Sequence, residues 1–357
     1  MRSLSAYDHP LRGALAAWIF TLAAMTAAMV LIGGLTRLTE AGLSIVVWQP
    51  ISGAIPPLTD RAWEQAFAQY QQFPEYQMLN YGMTLAEFKR IFWIEYVHRL
   101  WGRLIGVVFL IPFVFFLIKG AFRGAARRPL IQALVGVFAL GGVQAFIGWF
   151  MVSSGLQQRP EVSPYRLALH LSVGLLIFLA LLTIGLKLVH RPPPEHDQVK
   201  AARLLRPWAG RLLAFAFVTV IAGAFVAGNR AGLTYNTFPL MDGRLVPDGY
   251  WLLQPLWLNF FENVATVQFN HRLLGVVTGA LAIALCAAYR GAPLPRRTRV
   301  ALYHVAAMGL IQPALGITAL VLVVPIPLAL LHQAGAIALL SSVLWLRVEL
   351  TAAVRHR

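Results

Sequence analysis

The sequence predicts an all-α integral membrane protein whose eight transmembrane helices form two repeated four-helix bundles. Three observations predict this fold. Of the 357 residues, 58% are hydrophobic and 12% are charged, a balance typical of membrane proteins rather than of soluble domains. Eight apolar segments are long enough to cross a bilayer. Several short motifs of the first half, residues 1–190, recur in the same order in the second half, residues 191–357.

The apolar segments define the path of the chain through the membrane. A spanning helix needs about 20 apolar residues. Runs of this kind cover residues 14–34, 95–118, 130–152, 165–189, 208–228, 267–289, 300–323 and 327–346. The first run has no small-residue cleavage site, so we expect a permanent helix rather than a signal peptide. The chain also does not begin with an Arg- and Ser-rich transit peptide, which favours the bacterial inner membrane as its location.

Basic residues predict the orientation of these helices. The net charge of +16 would indicate nucleic-acid binding in a soluble chain. Here the Lys and Arg residues lie in short loops on one side of the membrane, so the expected partner is the lipid bilayer and not nucleic acid. Because loops rich in positive charge stay in the cytoplasm, we expect both termini to be cytoplasmic. These basic residues are Arg2, Arg12, Lys119, Arg123, Arg127, Arg128, Arg191, Lys200, Arg203, Arg206, Arg290, Arg296, Arg297, Arg299, Arg347, Arg355 and Arg357.

The first of two long external loops, residues 36–94, contains two helix signals. The spacing of Trp63, Phe67 and Tyr70 predicts a surface helix with one apolar stripe. Further along, Thr84-Leu-Ala-Glu87 is a capping box, which predicts the start of another helix. No Pro or Gly follows before residue 102, so we expect that helix to continue into the second span.

A histidine motif occurs once in each half. The first copy is Glu95-x-x-His98-Arg-x-x-Gly-x-x-x-Gly, and the second is Gln268-x-x-His271-Arg-x-x-Gly-x-x-x-Gly. Glycines four and eight residues after each histidine fall on one helix face, leaving a bare strip beneath the imidazole. A flat ligand could bind its metal to the imidazole and lie against this strip. The alternative is a small-residue packing face between membrane helices, but two copies with separate downstream partners favour the ligand.

The downstream partners are His170 and His332. His170 follows Leu-Ala-Leu, and His332 follows Leu-Ala-Leu-Leu. Two further pairs of segments match between the halves: Val143-Gln144-Ala-Phe-Ile-Gly148 with Ile311-Gln312-Pro-Ala-Leu-Gly316, and more weakly Gly34-Leu-Thr-Arg37 with Gly228-Asn-Arg230. The predicted topology places all four histidines near the external surface, paired as His98 with His170 and His271 with His332.

Two imidazoles in each bundle suit the axial ligation of a haem iron. Zinc is the alternative metal, but it needs further ligands, and Cys286 is the only cysteine. Arginines at the same external level are candidates for contacts with the haem propionates, because guanidinium matches carboxylate geometry. Their alternative role is snorkelling to the membrane interface. These arginines are Arg37, Arg99, Arg230 and Arg272.

The chain resembles the haem A synthase family, in its proteobacterial and mitochondrial-type branch. The segments that carry the resemblance are residues 34–44, 95–103, 235–242, 259–263 and 268–272. The resemblance implies an oxidoreductase acting on CH groups, which oxidises a ring methyl of haem O to a formyl group through a hydroxymethyl intermediate. The product, haem A, serves terminal oxidases. Another branch of the family carries a cysteine pair in the first external loop; this chain has none, so a thiol role is not expected.

The same resemblance assigns roles to the histidines and to partners. It implies that His271 and His332 hold a haem b cofactor, while His98 and His170 flank the iron of the substrate haem. It further implies haem O synthase as a partner that delivers haem O. An electron-transfer partner is also needed, which the sequence does not identify.

Glu95 distinguishes the first half from the second. It lies three residues before His98, on the same helix face, and its counterpart is Gln268. A carboxylate can take up protons during oxidation of a C–H bond, whereas an amide cannot. We therefore predict that the first half is catalytic and that Glu95 is its catalytic residue. The alternative for Glu95 is an ion pair with Arg99, one helical turn away.

Two other functions remain as alternatives to the enzyme. A di-haem cytochrome b that passes electrons, for instance from quinol, also needs four histidines. It has no use for the Glu/Gln asymmetry or for a lateral opening of haem size. A haem transporter or chaperone is the third possibility. Only the enzyme forms the formyl haem, so pigment analysis separates the three.

Overall fold

The computed structural model describes residues 9–49, 52–122, 127–155, 162–189 and 195–355. Within these ranges the chain is helical, and eight of its helices are long and apolar enough to cross a membrane, as predicted. Four of the basic residues used to predict orientation, Arg2, Arg123, Arg191 and Arg357, lie outside the described residues.

Eleven α-helices are present in the described part of the chain. Three are short and lie in the two long loops that the sequence predicts to be external: α2 (Asp60–Tyr70), α3 (Pro74–Met78) and α8 (Asn259–Glu262). The eight spanning helices are α1 (Arg12–Leu38), α4 (Leu85–Ile118), α5 (Arg127–Gly155), α6 (Pro164–Leu188), α7 (His196–Gly228), α9 (Val264–Tyr289), α10 (Arg296–Val321) and α11 (Ile326–Arg355).

Some spanning helices are longer than their predicted apolar cores. Helix α4 begins at Leu85 rather than at residue 95, and α7 begins at His196 rather than at residue 208. Each extension starts at a capping box, in which two side chains satisfy backbone N–H groups that the helix leaves open. The predicted capping box at Thr84 is confirmed: Thr84 N donates to Glu87 Oε2 at 2.8 Å. Helix α4 then continues into the membrane without a break, also as predicted.

Contacts between the spans fall into two sets. Helices α1, α4, α5 and α6 contact one another, as do α7, α9, α10 and α11. The two sets meet through α1, α6, α7 and α11, which enclose the main apolar core. Fully buried members of this core include Leu15, Leu22, Leu205 and Val343. Much of the surface of α4, α5, α9 and α10 faces outward and carries apolar side chains suited to lipid.

The first long loop, which the sequence predicts to be external, folds onto the N-terminal end of α4. The apolar stripe predicted for the surface helix exists in α2, where Trp63 and Tyr70 are buried. They pack with Phe88, Phe92 and Tyr96 of α4 in a cluster of aromatic rings. We call this unit of α2, α3 and the external end of α4 the external cap. It covers the helix that carries Glu95 and His98.

Candidate functional site

In the second half, two imidazoles face each other between helices. The ring centroids of His271 and His332 are 6.3 Å apart, with the ring planes at 79°. An iron between them would form two bonds of about 2 Å to nitrogen, and adding the two ring radii gives a centroid separation of about 6 Å. The spacing therefore fits axial ligation of one metal ion by both imidazoles.

The tautomer of His271 also suits metal binding. Its Nδ1 lies 3.1 Å from the carbonyl oxygen of Thr219. Because a carbonyl only accepts hydrogen bonds, Nδ1 must carry the hydrogen, and Nε2 keeps its lone pair for a metal. A hydrogen bond from the ring to a backbone carbonyl is a usual way in which a protein fixes the orientation of a metal-binding histidine. Sequence reasoning did not identify Thr219, because a backbone acceptor leaves no mark on residue type.

Each imidazole of the second half stands over a glycine of a neighbouring helix. A Cβ atom added to Gly223 of α7 would lie 2.8 Å from Cε1 of His271. A Cβ added to Gly316 of α10 would lie 2.6 Å from Cε1 of His332. Any larger residue would push these rings out of place. The glycines that the rings contact thus come from adjacent helices, and not only from the strips that the sequence indicated.

The first half repeats this arrangement with more room. A Cβ added to Gly33 of α1 would lie 3.4 Å from Nε2 of His98, and one added to Gly148 of α5 would lie 3.0 Å from Cε1 of His170. His98 and His170 are close enough to interact electrostatically. The predicted pairing of histidines within each half therefore corresponds to neighbouring side chains in both halves.

A glutamine holds the second histidine of each half. Gln144 Nε2 donates to the carbonyl oxygen of His170 at 3.0 Å, and Gln312 Nε2 donates to that of His332 at 2.9 Å. The same amide nitrogen lies near a ring nitrogen, which is Nε2 of His170 in the first half and Nδ1 of His332 in the second. The sequence match around these glutamines indicated a repeat, but not that they bind the histidines.

Glu95 is 2% exposed and is surrounded by hydrogen-bond donors. Its Oε2 accepts from Ser44 Oγ at 2.7 Å and from the backbone N–H of Ile45 at 2.8 Å. Its Oε1 accepts from Arg99 Nη2 at 2.5 Å, and the same nitrogen donates to the carbonyl oxygen of Ile45 at 2.8 Å. The ion pair considered as the alternative for Glu95 is therefore present, and it anchors the chain that follows α1.

Gln268 anchors the corresponding segment of the second half with reversed hydrogen-bond roles. Its Nε2 donates to the carbonyl oxygens of Ala231 at 2.7 Å and Tyr235 at 3.3 Å. Its Oε1 accepts from Arg272 at 2.9 Å, and Arg272 also donates to the carbonyl oxygen of Tyr235. Positions 268 and 95 are equivalent, but the amide of Gln268 donates to carbonyl oxygens, whereas the carboxylate of Glu95 accepts from an N–H and an O–H group.

The two other candidate arginines connect the halves. Arg37 Nη2 donates to the carbonyl oxygen of Ala227 at 2.9 Å, and Arg230 forms an ion pair with Glu40 at 2.6 Å. The proposed match between Arg37 and Arg230 was in the wrong register, because Arg37 lies inside α1 while Arg230 lies beyond the end of α7. Glu40 is the true counterpart of Arg230: each is the second residue after its helix, with φ of 54° and 53°.

The halves differ most in the contact between their two outer helices. In the second half, a Cβ added to Gly279 of α9 would lie 2.5 Å from the carbonyl oxygen of Gly309 in α10. The corresponding glycines of the first half are Gly106 in α4 and Gly141 in α5. Added Cβ atoms there would meet no atom of the described residues within 4 Å. Gly106 lies about 12 Å along α4 from His98, so the gap reaches well into the membrane.

The chain is similar to known proteins over almost its whole length. A family model described as cytochrome oxidase assembly protein matches residues 16–344. The Heme A synthase of Rhodospirillum centenum is 50% identical over 333 residues, 93% of this chain and 87% of the relative. That of Nitrosospira multiformis is 46% identical over 94% of this chain and 93% of the relative. That of Rhodopseudomonas palustris is 48% identical over 94% of this chain and 90% of the relative.

Proposed function

Since the chain belongs to the haem A synthase family, as its sequence resemblance predicted, we propose that its two halves divide the work of that enzyme. The protein is an oxidoreductase of haem biosynthesis that converts haem O to haem A for cytochrome oxidase assembly. In our proposal, residues 191–357 hold a haem b cofactor and residues 1–190 bind haem O and carry out the oxidation of its ring methyl.

The second half is suited to a permanently bound haem b. The spacing of His271 and His332 fits one iron, which the two imidazoles would hold together. Thr219 fixes the tautomer of His271, and both rings rest on glycine. The close approach of Gly279 and Gly309 shuts the space between α9 and α10. A bound haem there would supply redox chemistry, and this contact would hinder its release between α9 and α10.

The first half is suited to a substrate that enters and leaves. The glycines that its imidazoles contact leave more room than those of the second half. Gly106 and Gly141 also leave a gap between α4 and α5 on the side that faces lipid. Haem O is a hydrophobic molecule, so a lateral route from the bilayer avoids crossing the polar external cap. This difference between the gap of the first half and the closed contact of the second carries our assignment of substrate and cofactor.

Glu95 is the residue that we propose to accept protons during the oxidation. Gln268 shows that an amide can anchor this segment of the fold together with its arginine. Anchoring alone therefore does not require a carboxylate, and the first half has one beside its substrate histidine. A carboxylate also balances the charge of Arg99, so Glu95 has two roles: it positions the segment after α1 and it receives protons.

Arg37, Arg99, Arg230 and Arg272 remain candidates for contacts with propionates. All four lie at the external level and are oriented by contacts with the protein. Arg272 offers a clear opportunity, because its Nε is buried without a hydrogen-bond partner among the described residues. A guanidinium held in this way can also donate a hydrogen bond to a carboxylate of the ligand while it keeps its existing hydrogen bonds.

The decisive experiment separates the two sites by their pigments. His98→Ala and His271→Ala proteins would be purified from membranes that supply haem O, and each would be analysed for haem b, haem O and haem A. We expect His98→Ala to keep haem b and lose haem O, and His271→Ala to lose haem b. Equal loss of both pigments in both variants would contradict the division between halves.

We also propose that the enzyme lies in the bacterial inner membrane with both termini in the cytoplasm. Haem O synthase, which would deliver the substrate, and an electron-transfer protein are its proposed partners. A tag at either terminus should be accessible only from the cytoplasm, and a tag near Gln71 only from outside. Labelling from the opposite side at any of the three positions would overturn this orientation.

A further inference from the structure

One polar side chain connects the two halves beside the paired histidines. Gln333 of α11 directly follows His332, and its Nε2 donates to the carbonyl oxygen of Val30 in α1 at 3.0 Å. A Cβ atom added to Gly34, one turn after Val30, would overlap Oε1 of Gln333. The amide therefore lies against bare backbone of α1, and its position requires glycine at residue 34.

The same stretch of α1 supports a histidine of the other half. Gly33, which directly precedes Gly34, is the glycine over which His98 lies. Consecutive residues of a helix point about 100° apart, so Gly33 can face the imidazole while Gly34 faces the amide. A continuous series of contacts and peptide bonds thus runs from His98 through α1 to Gln333 and His332.

The equivalent contact on the other side of the molecule is apolar. Leu171 of α6 occupies the position of Gln333, one residue after the second histidine of its half, and packs against the apolar cluster that contains Ala224. Ala224 of α7 occupies the position of Gly34, one residue after the glycine beneath the first histidine of its half. The fold can therefore join the halves at this level without an amide.

A hydrogen bond restricts the relative position of two helices more than an apolar contact does. Hydrophobic contacts have no preferred direction, whereas an N–H···O bond fixes both a distance and a direction. A polar side chain within a membrane-spanning segment is also costly, and it marks a functional position by default. The amide of Gln333 is thus suited to holding α11 at one position along α1.

We propose that Gln333 is a positioning residue for the oxidation, which fixes the cofactor site relative to the substrate site by tying α11 beside His332 to α1 beside His98. The proposal rests on the proposed function, in which the second half holds haem b and the first half binds haem O. Gln333 acts through the two helices. A misplacement of reacting groups by about 1 Å can lower a rate by about a hundredfold.

The repeat supplies the substitutions that test this role. The double variant Gln333→Leu with Gly34→Ala copies the contact of Leu171 with Ala224, so it replaces the hydrogen bond by apolar packing. We expect it to unfold at the wild-type temperature and to keep the KM for haem O, while kcat for haem A formation falls at least about tenfold. A wild-type kcat, or a change in KM alone, would overturn the proposal.

A matched control loosens the apolar contact instead. Leu171→Ala should lower the unfolding temperature, because a packed side chain is lost, and should leave kcat within about twofold of the wild type. If Leu171→Ala lowered kcat as much as the double variant, any loosening between the halves would slow the enzyme. That outcome would contradict a specific role for Gln333.

A spectroscopic readout does not depend on turnover. The electron paramagnetic resonance signal of ferric haem b responds to the orientation of its axial imidazoles, and His332 adjoins the residue that is bonded to α1. Binding of haem O beside His98 should therefore shift this signal in the wild type. The shift should be lost in the double variant, although both haems remain bound. An unshifted wild-type signal, or an equal shift in the double variant, would contradict the proposal.

Two further results keep the outcome decisive. If the double variant does not fold, Gln333→Leu alone removes the same hydrogen bond while Gly34 leaves space for the new side chain, and a wild-type kcat then overturns the proposal. The His271→Ala protein distinguishes the two levels of the argument. If it keeps haem b, the proposed division between the halves fails. If that division holds and kcat of Gln333→Leu equals the wild-type value, only the role of Gln333 fails.

Discussion

The two halves of this membrane protein place the same side chains in similar positions and differ in how tightly they hold them. In the second half, Gly223 and Gly316 press against the imidazoles, and Gly279 meets the backbone of Gly309. In the first half, the corresponding approaches are longer, and the gap beside Gly106 is open. If the second half holds the cofactor and the first half the substrate, as we propose, the packing around the histidines separates the two sites, because the histidines themselves are the same in both halves.

One arginine contact is common to both halves. In both halves an arginine that follows the first histidine donates to a loop carbonyl oxygen, of Ile45 in one half and of Tyr235 in the other. These two residues lie equally far beyond the ends of α1 and α7. The arginine contact is thus common to both halves, while the residue one turn earlier is a carboxylate in one and an amide in the other.

The largest effect should come from removing the charge that only the first half has. We expect Glu95→Gln to lower the ratio of haem A to haem O by a factor of about a hundred to ten thousand, the usual contribution of an acid–base group. Haem binding should persist. The ratio would be measured in cells and normalised to protein level. A ratio equal to wild type would make Glu95 a structural partner of Arg99 alone.

This substitution needs a control for anchoring. In the second half the glutamine amide meets carbonyl oxygens, but at position 95 it would face the N–H of Ile45, so one hydrogen bond is lost. Ser44→Ala removes a hydrogen bond to the same carboxylate oxygen without changing its charge, at a cost of about 1 kcal/mol. It should retain most of the activity. Equal losses in both variants would show that anchoring accounts for the effect.

The next effect should be loss of pigment from the second half. In the proposed cofactor site both His271 and His332 would bind the haem iron, so each Ala variant should lose a tightly bound low-spin haem while still inserting in the membrane. Absorption spectra of the purified proteins would measure this. A His271→Ala protein with a full complement of haem b and an unchanged spectrum would refute the assignment of the cofactor half.

The glycines between the outer helices offer a matched pair of stability tests. Gly279→Ala would place its Cβ against the backbone of Gly309, which cannot move aside, so we expect about 1–3 kcal/mol of destabilisation. Gly106→Ala has open space and replaces a helical glycine, so it should be neutral or slightly stabilising. Thermal unfolding in detergent would compare the two. A similar shift for both would mean that the gap of the first half closes in solution.

The smallest effect should come from the ion pair between the halves. Glu40 and Arg230 are 46% and 36% exposed, so water and salt screen their attraction. We expect Glu40→Gln to change the free energy of unfolding by no more than about 1 kcal/mol, and less at high salt. Unfolding at two salt concentrations would measure it. A larger loss would mean that this pair, rather than the apolar core, joins the halves.

Hydropathy and spacing predicted the features of the fold that depend on one segment at a time. They identified eight spans, the amphipathic α2 and the capping box at Thr84. The start of α7 and the end of α11 were predicted wrongly, because each helix continues through polar residues beyond the apolar segment that defined the span. His196 begins α7 although the polar residues Asp197 and Gln198 follow it directly.

The contacts of the site depend on residues far apart in sequence, and most of these were not predictable. The histidines and Glu95 stood out, because polar residues near apolar spans are rare. The bond between Gln144 and the carbonyl oxygen of His170 required knowing how α5 rotates against α6. The match of Arg37 with Arg230 failed because short motifs at helix ends can be aligned in more than one register. The helix ends themselves, once known, identify Glu40 as the counterpart of Arg230.

That pairing of Glu40 with Arg230 has a consequence for how such a protein can arise. When two identical subunits meet about a two-fold axis, any residue on the axis faces its own copy, so a glutamate would face a glutamate and an arginine an arginine. Two joined halves escape this restriction, because each copy can change separately. Opposite charges at equivalent positions are therefore available only to copies that are no longer identical, and here they lie where the two halves touch.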